Sequence, residues 1–410
     1  MQNNKQVAIL LSWPRELDFY RQLIDGIEDQ IVFLIDDMRY SERERSGNSK
    51  NIELMLLKHE LPYDWLSRTI CKYPILVSTG LSYDEVINVR TTLKFIYGRV
   101  VGSFIEFFGA DRVFKKIFDR PFTAGGKSAV RYKMCQIERR FGYYTIRFPK
   151  GLDVSEKTYP EERWRNAFDI HLCHGNIDKA LIEQKFQGAD CRIIGYPKYS
   201  TFTGLGRSKE RIQKEFSIKN NSKPLILWMP THIKIENEMS KNLLLWIPFL
   251  RSLVEKNNVV VRPHPKSLIV SPSITELLKK EGFLVDSKPD RNLITLYNSA
   301  DLVIADYGSS VCSACFIGKP VLLLNLPQHL EYSKMIKEGD YVDGKMRDYL
   351  LSINLDQGHK ISKFVFEALS KNDSNKTIKV QNYLFGEQKE RLSKKEVQNL
   401  FLAKTSTFGS

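Results

Sequence analysis

Groups of polar residues follow three short apolar runs in the second half of the chain. Each group stands directly after a predicted strand: Thr231 and His232, then Arg262, Pro263, His264, Pro265 and Lys266, then Asp306, Tyr307, Gly308, Ser309 and Ser310. Ligands of open α/β sheets bind beyond the carboxyl ends of the strands. The three groups are therefore expected to meet at one binding site.

The last of these groups has the chemistry of an anion site. Gly308 permits a tight turn and close approach of a ligand, and Ser309 or Ser310 is expected to cap the apolar helix that follows. The N–H groups of the first helical turn and the serine hydroxyls would then bind a phosphate. Arg262 and His264 could each hold a diphosphate at the same site, or His264 could donate a proton to it. An ordinary helix start and a structural histidine are the competing interpretations, but neither explains why three polar groups converge.

Two other short motifs are weaker evidence for a functional site. Residues 125–128, Gly-Gly-Lys-Ser, resemble the end of a phosphate-binding P-loop, but Pro121 stands where that motif needs its first glycine. Cys312 and Cys315 have the spacing of a metal or redox pair, yet they lie in an apolar helical stretch without further ligands. We expect no P-loop, and we expect both cysteines to be buried structural residues.

No metal site is expected from the sequence. His171 and His174 are three residues apart, but no third ligand lies near them. The chain also contains no Asp-x-Asp pair, with which many nucleotide-sugar transferases hold a metal. We therefore expect no tightly held metal and no cofactor.

The elements that must position these residues alternate between apolar runs and helical patterns. The predicted strands are 7–11, 31–35, 75–77, 144–148, 170–173, 191–194, 225–229, 259–261, 283–285, 302–305 and 321–324. Continuous apolar strands separated by helices are typical of parallel sheets that are covered on both faces. We predict an α/β protein with two doubly wound, Rossmann-like domains that face each other across a cleft.

The length of the chain predicts more than one domain, since 410 residues are about twice what one hydrophobic core usually organises. Glycine, serine and asparagine cluster between residues 197 and 222, where we place the boundary. The predicted parts are an N-terminal domain at 1–200, a C-terminal domain at 201–375 and a helical tail at 376–410. Ser393 and Glu396 form a predicted capping box for the last helix. That helix is expected to pack on a domain rather than on a membrane surface.

The composition excludes several classes of protein. The chain is 42% hydrophobic and 27% charged, and no apolar run approaches the roughly 18 residues of a membrane-spanning helix. Six Cys at uneven positions do not form a disulfide framework, and no signal-peptide pattern is present, so a cytoplasmic protein is expected.

The net charge of the chain is positive. Lys and Arg outnumber Asp and Glu by 62 to 48, which gives a net charge of +14. This balance favours a polyanionic partner such as nucleic acid, an anionic membrane or a phosphorylated substrate.

Several segments resemble a known family. They are Ile194-Gly195-Tyr196-Pro197-Lys198-Tyr199, Leu227-Trp228-Met229-Pro230-Thr231, Arg262-Pro263-His264-Pro265, Ser299-Ala300-Asp301, Asp306-Tyr307-Gly308-Ser309-Ser310 and Lys319-Pro320. In this order they resemble the Gly-x-Pro-Arg, apolar-Pro-Thr, basic-Pro-His, Ser-Asp, Asp-Tyr-Ser-Ser and Lys-Pro segments of the CDP-glycerol glycerophosphotransferase family of teichoic-acid and capsule synthesis. The resemblance spans roughly residues 145–325 and implies the two-domain GT-B glycosyltransferase fold.

The resemblance also implies roles for the two domains and for individual residues. Residues 1–200 would form the acceptor-side domain, and residues 201–375 would form the nucleotide-donor domain. His264 and the pair Ser309–Ser310 would bind the pyrophosphate of a cytidine-nucleotide donor. The predicted substrate-binding residues are Arg262, Thr231, His232, Asp306, Ser309 and Ser310. The predicted catalytic residues are His264, Lys150 and His174.

Lys150 stands where the family usually has a histidine that acts as base on the acceptor hydroxyl. A lysine could be the base only if burial or neighbouring cations made it much less basic. It could instead hold a phosphate, with His171 or His174 as the base. The extra Gly308 in the serine segment is a second departure from the family pattern.

The predicted function is transfer of glycerophosphate, or a related group, from a cytidine nucleotide to an acceptor hydroxyl in bacterial surface-polysaccharide synthesis. The motifs also resemble GT-B enzymes that use CMP-activated acidic sugars, in which Asp36, Asp37 or Asp153 would be the base. The non-enzyme alternative, a basic nucleic-acid-binding protein, is supported by net charge alone, because no binding motif accompanies it. We expect no nucleic-acid partner. The expected acceptor is a polysaccharide or a lipid-linked chain, at the inner surface of the cell membrane.

Overall fold

The computed structural model describes residues 6–37, 42–79, 137–149, 168–185, 188–199, 207–231, 242–288, 291, 293–327, 342–370 and 374–403. The chain divides into two compact units. The first comprises Met1–Gly151, Lys157–Ser200 and Phe385–Ser410, and the second comprises Leu152–Glu156 and Thr201–Leu384. Each unit is built on one parallel sheet.

The first sheet has the strand order β3-β2-β1-β4-β5-β6-β7. Its strands are β1 (Val7–Leu11), β2 (Ile31–Ile35), β3 (Tyr63–Trp65), β4 (Tyr73–Ser78), β5 (Gly142–Arg147), β6 (Ile170–Cys173) and β7 (Asp190–Ile193). All residues of β1 and β2 are buried. Alternate residues of β1 enter two different apolar clusters, Ile9 in one and Leu10 in the other. Because successive strand residues point to opposite faces, both faces of this sheet carry a core.

Four helices lie in the described part of the first unit before residue 200. They are α1 (Leu17–Ile24), α2 (Glu42–Lys58), α3 (Ile137–Phe141) and α4 (Asn176–Lys185). Tyr20 and Leu23 of α1 are buried together with Ile52 and Leu56 of α2 in the larger of the two clusters. Their spacings of three and four residues place each pair on one helix face, which explains why both helices pack on the same core.

The second sheet has the order β10-β9-β8-β11-β12-β13. Its strands are β8 (Leu225–Met229), β9 (Asn258–Val261), β10 (Leu284–Val285), β11 (Leu302–Ala305), β12 (Val321–Leu324) and β13 (Leu351–Ile353). The order places β8 and β11 at its centre, and every residue of both is buried. The order reverses between β8 and β11, which is where ligands bind in such sheets.

The described helices between residues 207 and 385 are α5 (Arg207–Glu215), α6 (Asn242–Arg251), α7 (Pro265–Val270), α8 (Ile274–Lys280), α9 (Leu293–Ser299), α10 (Ser309–Phe316), α11 (Val342–Tyr349), α12 (Ile361–Ser370) and α13 (Ser374–Phe385). Leu243, Trp246 and Leu250 of α6 are buried against the sheet in one cluster. The spacing of three and four residues gives α6 a single apolar face.

The last helix, α14 (Lys394–Leu402), packs in the first unit, where Val397 and Phe401 join the core of β1 and β2. The predicted capping box is confirmed, because Ser393 accepts a hydrogen bond from Glu396 N and Glu396 in turn accepts one from Ser393 N. Gln398 donates to the carbonyl of Leu23 at 2.7 Å. These contacts join the end of the chain to α1.

The prediction of an α/β fold with two parallel, doubly wound sheets is confirmed. Within the described part of the chain, none of the helices combines the length and apolar character that crossing a bilayer requires.

Candidate active site

The carboxyl ends of β8, β9 and β11 are adjacent in the second sheet, because β8 pairs in parallel with both other strands. Thr231, Arg262 and Asp306 follow these three strands. The main-chain N–H of Arg262 donates to Trp228 O in β8 at 2.8 Å. The prediction that these strand ends meet is therefore confirmed.

Asp306 joins the ends of β8 and β11. It is buried, and its carboxylate accepts hydrogen bonds from Thr231 N (2.9 Å), Thr231 Oγ1 (3.1 Å) and Asn242 Nδ2 (3.1 Å). Burial raises the pKa of this carboxyl, while the hydrogen bonds from Tyr307 N, Asn242 and Thr231 act to lower it. Asp306 and Thr231 thus fix the separation of the two strand ends. Direct contact of either residue with substrate stays a prediction.

The chain turns at Gly308 into α10. Gly308 has φ 88° and ψ −168°, a conformation that residues with a side chain rarely adopt. A Cβ at this position would meet no atom within 4 Å, so the space beside the turn is open. The prediction of a serine cap is wrong. Gly308 itself occupies the N-cap, since its positive φ ends the extended segment and Ser309 is already helical.

The start of α10 is nevertheless suited to an anion. No side chain caps this helix among the described residues, so its first N–H groups keep their donor capacity toward a ligand. Ser309 is exposed and Ser310 is half-buried. The helix dipole adds partial positive charge at the same end. The open turn at Gly308 gives a phosphate room to approach these donors.

Arg262 is engaged in the fold. It is only 5% exposed, and its Nη1 lies 3.0 Å from Asp286 Oδ2 and also contacts the carbonyl of Lys288. Arg291 approaches the same Asp286 oxygen at 2.8 Å and pairs with Glu215, whose pKa its guanidinium helps to lower to about 2. This network ties the ends of β9 and β10 together. Contact of Arg262 with a diphosphate stays a prediction.

His264 is half-buried and stands directly before α7. Its carbonyl accepts a hydrogen bond from Ser267 N at 2.8 Å, so the residue forms the first turn of that helix. The imidazole is thus carried on the end of β9, next to the β8 end that holds Thr231. Its roles as phosphate ligand or proton donor stay predictions.

Two further motif residues have structural roles. Lys319 Nζ donates to the carbonyls of Asn298 (2.9 Å) and Ala300 (2.8 Å), which closes the end of α9. Asp301 accepts from Leu225 N at 2.8 Å and pairs with Lys209 of α5. The Ser-Ala-Asp and Lys-Pro segments therefore hold β8, α9 and α5 in place.

Two residues at this edge were missed by sequence reasoning. Asp343 is completely buried, and its Oδ1 lies 3.4 Å from Gly308 N. Arg347 stacks on the ring of Tyr307 at 4.1 Å and donates to the carbonyl of Asp306 at 2.8 Å. The sequence shows only that Asp343 and Arg347 are four residues apart, which places them on one face of a helix. That they lie at this edge of the sheet depends on how α11 packs, which the spacing does not indicate.

In the first unit, His174 follows β6 and is buried. Its Nδ1 lies 2.8 Å from the carbonyl of Gly195, so this nitrogen carries the proton and Nε2 bears a lone pair. Nε2 has no hydrogen-bond partner in the described part of the chain. Burial lowers the pKa of His174 to about 4, so the ring is neutral near pH 7. The ring of Tyr196 meets it edge-on at 4.6 Å.

Asp178 fixes the backbone around His174. Its carboxylate accepts from His174 N (2.6 Å) and Gly175 N (2.8 Å) at the start of α4. Burial raises the pKa of Asp178 to about 6, although both hydrogen bonds act to lower it. Hydrogen bonds at its main-chain N–H and at Nδ1 therefore fix the position of His174, and Nε2 is the side-chain nitrogen that has no partner among the described residues.

The other candidate bases differ in their surroundings. Asp36 is buried and accepts from Ser12 Oγ at 3.0 Å, while Asp37 accepts from Ser67 N at 2.9 Å. His171 lies within β6 and is fully buried. Lys150, His232 and Asp153 lie outside the described residues, as does the Gly-Gly-Lys-Ser segment at 125–128.

The expectation of a structural role for the cysteines of α10 agrees with their burial. Cys312 and Cys315 are both buried in this helix. Burial raises the pKa of Cys315 to about 12, so its thiol stays protonated and unreactive near neutral pH. The described residues include no group of three or more potential metal ligands. Metal independence stays a prediction.

Residues 150–348 match the model of the family described as CDP-glycerol:poly(glycerophosphate) glycerophosphotransferase. This region, just under half of the chain, is similar to that family. It contains the ends of β8, β9 and β11, the turn at Gly308 and both Asp343 and Arg347. The resemblance read from the sequence and the prediction of a transferase enzyme are confirmed. No curated protein sequence is similar enough to count as a relative.

The whole chain is similar in fold to known GT-B structures. The wall teichoic acid polymerase TagF is 12% identical with a TM-score of 0.57, covering 100% of this chain and 90% of that one. A variant of the same polymerase with CDPG is 10% identical with a TM-score of 0.55, covering 99% and 91%. A Listeria monocytogenes protein described as a UDP-N-acetylglucosamine 2-epimerase is 14% identical with a TM-score of 0.52, covering 98% and 97%. The predicted GT-B fold is confirmed.

Proposed function

We propose that this protein transfers glycerophosphate from a CDP-glycerol-type donor to a hydroxyl of a bacterial surface polymer. The observation that carries the proposal is the uncapped start of α10 at the open Gly308 turn, beside the ends of β8 and β9. The family match over residues 150–348 covers this whole edge and supports the same donor class. The TagF structure with CDPG belongs to a protein of the same fold.

On the donor side, the first N–H groups of α10 and the hydroxyls of Ser309 and Ser310 bind the diphosphate, with His264 from the neighbouring strand end. The acceptor oxygen forms a bond to the phosphorus that carries glycerol, and the bond from that phosphorus to the bridging oxygen of CMP breaks. CMP leaves with the electron pair of that bond. Fixed N–H donors stabilise the charge that develops on the leaving phosphate, so catalysis depends on positioning and electrostatics.

On the acceptor side, His174 is the candidate base. Its Nε2 is an unpartnered acceptor among the described residues, and the Gly195 carbonyl keeps the proton on Nδ1, which is the tautomer a base at Nε2 requires. Nε2 takes the proton of the acceptor hydroxyl during transfer. Lys150 supplies a cation for a phosphate of the donor or the acceptor. The proposed reaction needs no metal or other cofactor.

The acceptor is a polyanionic polymer or its lipid-linked precursor. The net charge of +14 favours such a partner, and it also favours a peripheral position on the inner surface of the cell membrane. Electrostatic attraction of this kind weakens as salt rises. Binding to anionic vesicles should therefore decline with ionic strength.

Release of CMP tests the proposal. The protein is incubated with CDP-glycerol or with a CMP-activated acidic sugar, each with a hydroxyl-bearing polymer acceptor. CMP release and glycerophosphate incorporation with CDP-glycerol are expected. Turnover of the acidic-sugar donor alone would favour the alternative glycosyltransferase. Absence of any binding to cytidine nucleotides would overturn the proposal altogether.

A matched pair of variants localises the donor site. Ser309→Ala combined with Ser310→Ala should weaken CMP binding, because two hydroxyl donors at the helix start are lost. Ser273→Ala removes an exposed serine that stands before α8 and forms no side-chain cap, so it should leave CMP binding unchanged. Equal affinities in all three proteins would place the nucleotide elsewhere.

A further inference from the structure

A buried carboxyl lies beside the start of α10. Asp343 is 0% exposed, and its Oδ1 lies 3.4 Å from Gly308 N. Its Oδ2 has no hydrogen-bond partner in the part of the chain that is described. Leaving a buried polar atom unpaired costs roughly 1–3 kcal/mol, and more if it is charged. An unpaired oxygen beside a predicted anion site points to a ligand group that pairs with it.

Asp343 is held in place through its main chain. Arg347, one turn further along α11, donates from Nη1 to the carbonyl of Asp343 at 2.6 Å and from Nη2 to the carbonyl of Asp306 at 2.8 Å. It also stacks on Tyr307. The guanidinium therefore clamps α11 to the segment that leads into Gly308. These bonds go to carbonyl oxygens, which leaves Asp343 Oδ2 for another partner.

The charge of Asp343 decides which partner fits. Burial raises the pKa of Asp343 to about 6, Arg347 and the Gly308 N–H act to lower it, and Asp306 raises it further. The group is therefore mostly ionised above pH 7. An ionised carboxylate accepts hydrogen bonds and repels phosphate oxygens. Its partner must be a hydrogen-bond donor that lies close to the phosphate without being part of it.

The ribose of a nucleotide meets this requirement, because it carries two hydroxyl donors and is bonded directly to the phosphate. We propose that Asp343 Oδ2 accepts a hydrogen bond from a ribose hydroxyl of the bound cytidine nucleotide and makes the site specific for ribonucleotides. The inference rests on the proposed function, since it requires a nucleotide phosphate at the start of α10. Asp343 is then a specificity-determining residue of the donor site.

Affinity for deoxynucleotides tests the inference. Calorimetry at pH 7.5 measures binding of CMP, 2′-deoxy-CMP and 3′-deoxy-CMP to the wild type, to Asp343→Asn and to Asp348→Asn. Asp348 is exposed on the same helix and serves as the matched control. Wild type and Asp348→Asn should prefer CMP over at least one deoxy form by about tenfold or more, as expected for a bond to a charged acceptor. Asp343→Asn should narrow this preference to less than about threefold.

Two results would overturn the inference and leave the proposed function intact. One is tight CMP binding by the wild type with equal affinity for all three nucleotides. The other is a full preference for CMP in Asp343→Asn. Failure of the wild type to bind CMP at all would instead overturn the proposed function, and the role of Asp343 with it.

The wild type alone gives a second test if Asp343→Asn does not fold. Lowering the pH from 7.5 to 5 protonates Asp343, so the ratio of CMP to deoxynucleotide affinity should fall toward one. Titration of the nucleotide phosphate affects both ligands equally and cancels in this ratio. A ratio that stays constant over this range would contradict the role of Asp343.

Discussion

The carboxyl edges of the two sheets satisfy their polar groups in different ways. In the first unit, Ser12 bonds to Asp36, Thr79 bonds to Glu16, and His174 is buried. In the second unit, Asp306 is equally well bonded, but the next residues form an open turn at Gly308 and an exposed Ser309.

The difference lies at the starts of the helices that follow these edges. Both edges end in buried, bonded carboxylates that brace neighbouring strands. Before α4 the carboxylate of Asp178 accepts from the N–H groups of His174 and Gly175, whereas α10 begins at a glycine that offers no capping side chain. In both units a carboxylate accepts from the N–H group of the residue before the helix, Asp178 at Gly175 and Asp343 at Gly308. Only the open turn and the exposed Ser309 in the second unit leave the predicted room for a ligand at the first helical N–H groups.

The largest expected effect comes from closing the open turn. Gly308→Val forces a β-branched residue into a positive φ and places methyl groups in the space beside α10. CMP affinity should fall by about a hundredfold or more, measured by calorimetry. Gly26→Val is the matched control, since Gly26 has φ 90° and a Cβ there would also meet no atom within 4 Å, but it lies in the first unit. Equal losses in both variants would mean that strain, rather than the site, causes the effect.

A change in the first unit should act on turnover instead of donor binding. His174→Gln removes the proposed base, so the transfer rate should fall by about a hundredfold while CMP affinity stays unchanged. Single-turnover kinetics with calorimetry separates the two effects. His59→Gln, at a histidine of the same unit that is not at this edge, should leave the rate unchanged. A normal rate in His174→Gln would return Lys150 or an acidic residue to the role of base.

The stability of the same variant has a predictable pH dependence. The pKa of His174 is lowered from 6.5 to about 4, so the folded protein binds fewer protons than the unfolded chain between these values. The residue's contribution to the free energy of unfolding therefore falls by up to about 3 kcal/mol as pH drops from 6.5 to 4. Urea unfolding should show this loss in the wild type and not in His174→Gln. Parallel curves for the two proteins would contradict the assignment.

A smaller effect is expected at the neighbouring strand end of the second unit. His264→Ala should weaken CMP binding or turnover by at least about tenfold, because one donor to the diphosphate is lost. His359→Ala, at an exposed histidine of the same unit, should have no effect. If nucleotide affinity and rate were both unchanged in His264→Ala, the binding edge would consist of α10 alone.

The smallest expected effect is at Lys150. Lys150→Arg keeps a cation but cannot act as a base near neutral pH, so it should retain substantial activity, whereas Lys150→Ala should not. The readout is the rate of CMP release at saturating donor. A Lys150→Arg enzyme as inactive as Lys150→Ala, with normal CMP binding, would make Lys150 the leading base.

Removal of divalent metal ions should have little effect on the transfer rate. EDTA should leave most of the activity intact, and full loss restored by Mg²⁺ would show that a metal takes part.

The strands were predictable because their apolar runs are continuous. The predicted bounds 7–11, 31–35, 170–173, 225–229, 302–305 and 321–324 are those observed. The strands at Tyr63–Trp65 and Leu351–Ile353 were missed, because each is a three-residue edge strand with partly exposed side chains. Edge strands of this length carry too little apolar pattern to be recognised.

The sequence by itself determined the fold class, the central strands, the capping box of α14 and the meeting of polar groups at the ends of β8, β9 and β11. These depend on local patterns and on the rule that parallel strands end at a common edge. Only the tertiary structure decided that Arg262 pairs with Asp286, that Asp306 braces Thr231, and that Asp343 reaches Gly308 from 35 residues away. Partners of buried polar groups depend on which elements dock together, and no local pattern encodes that choice.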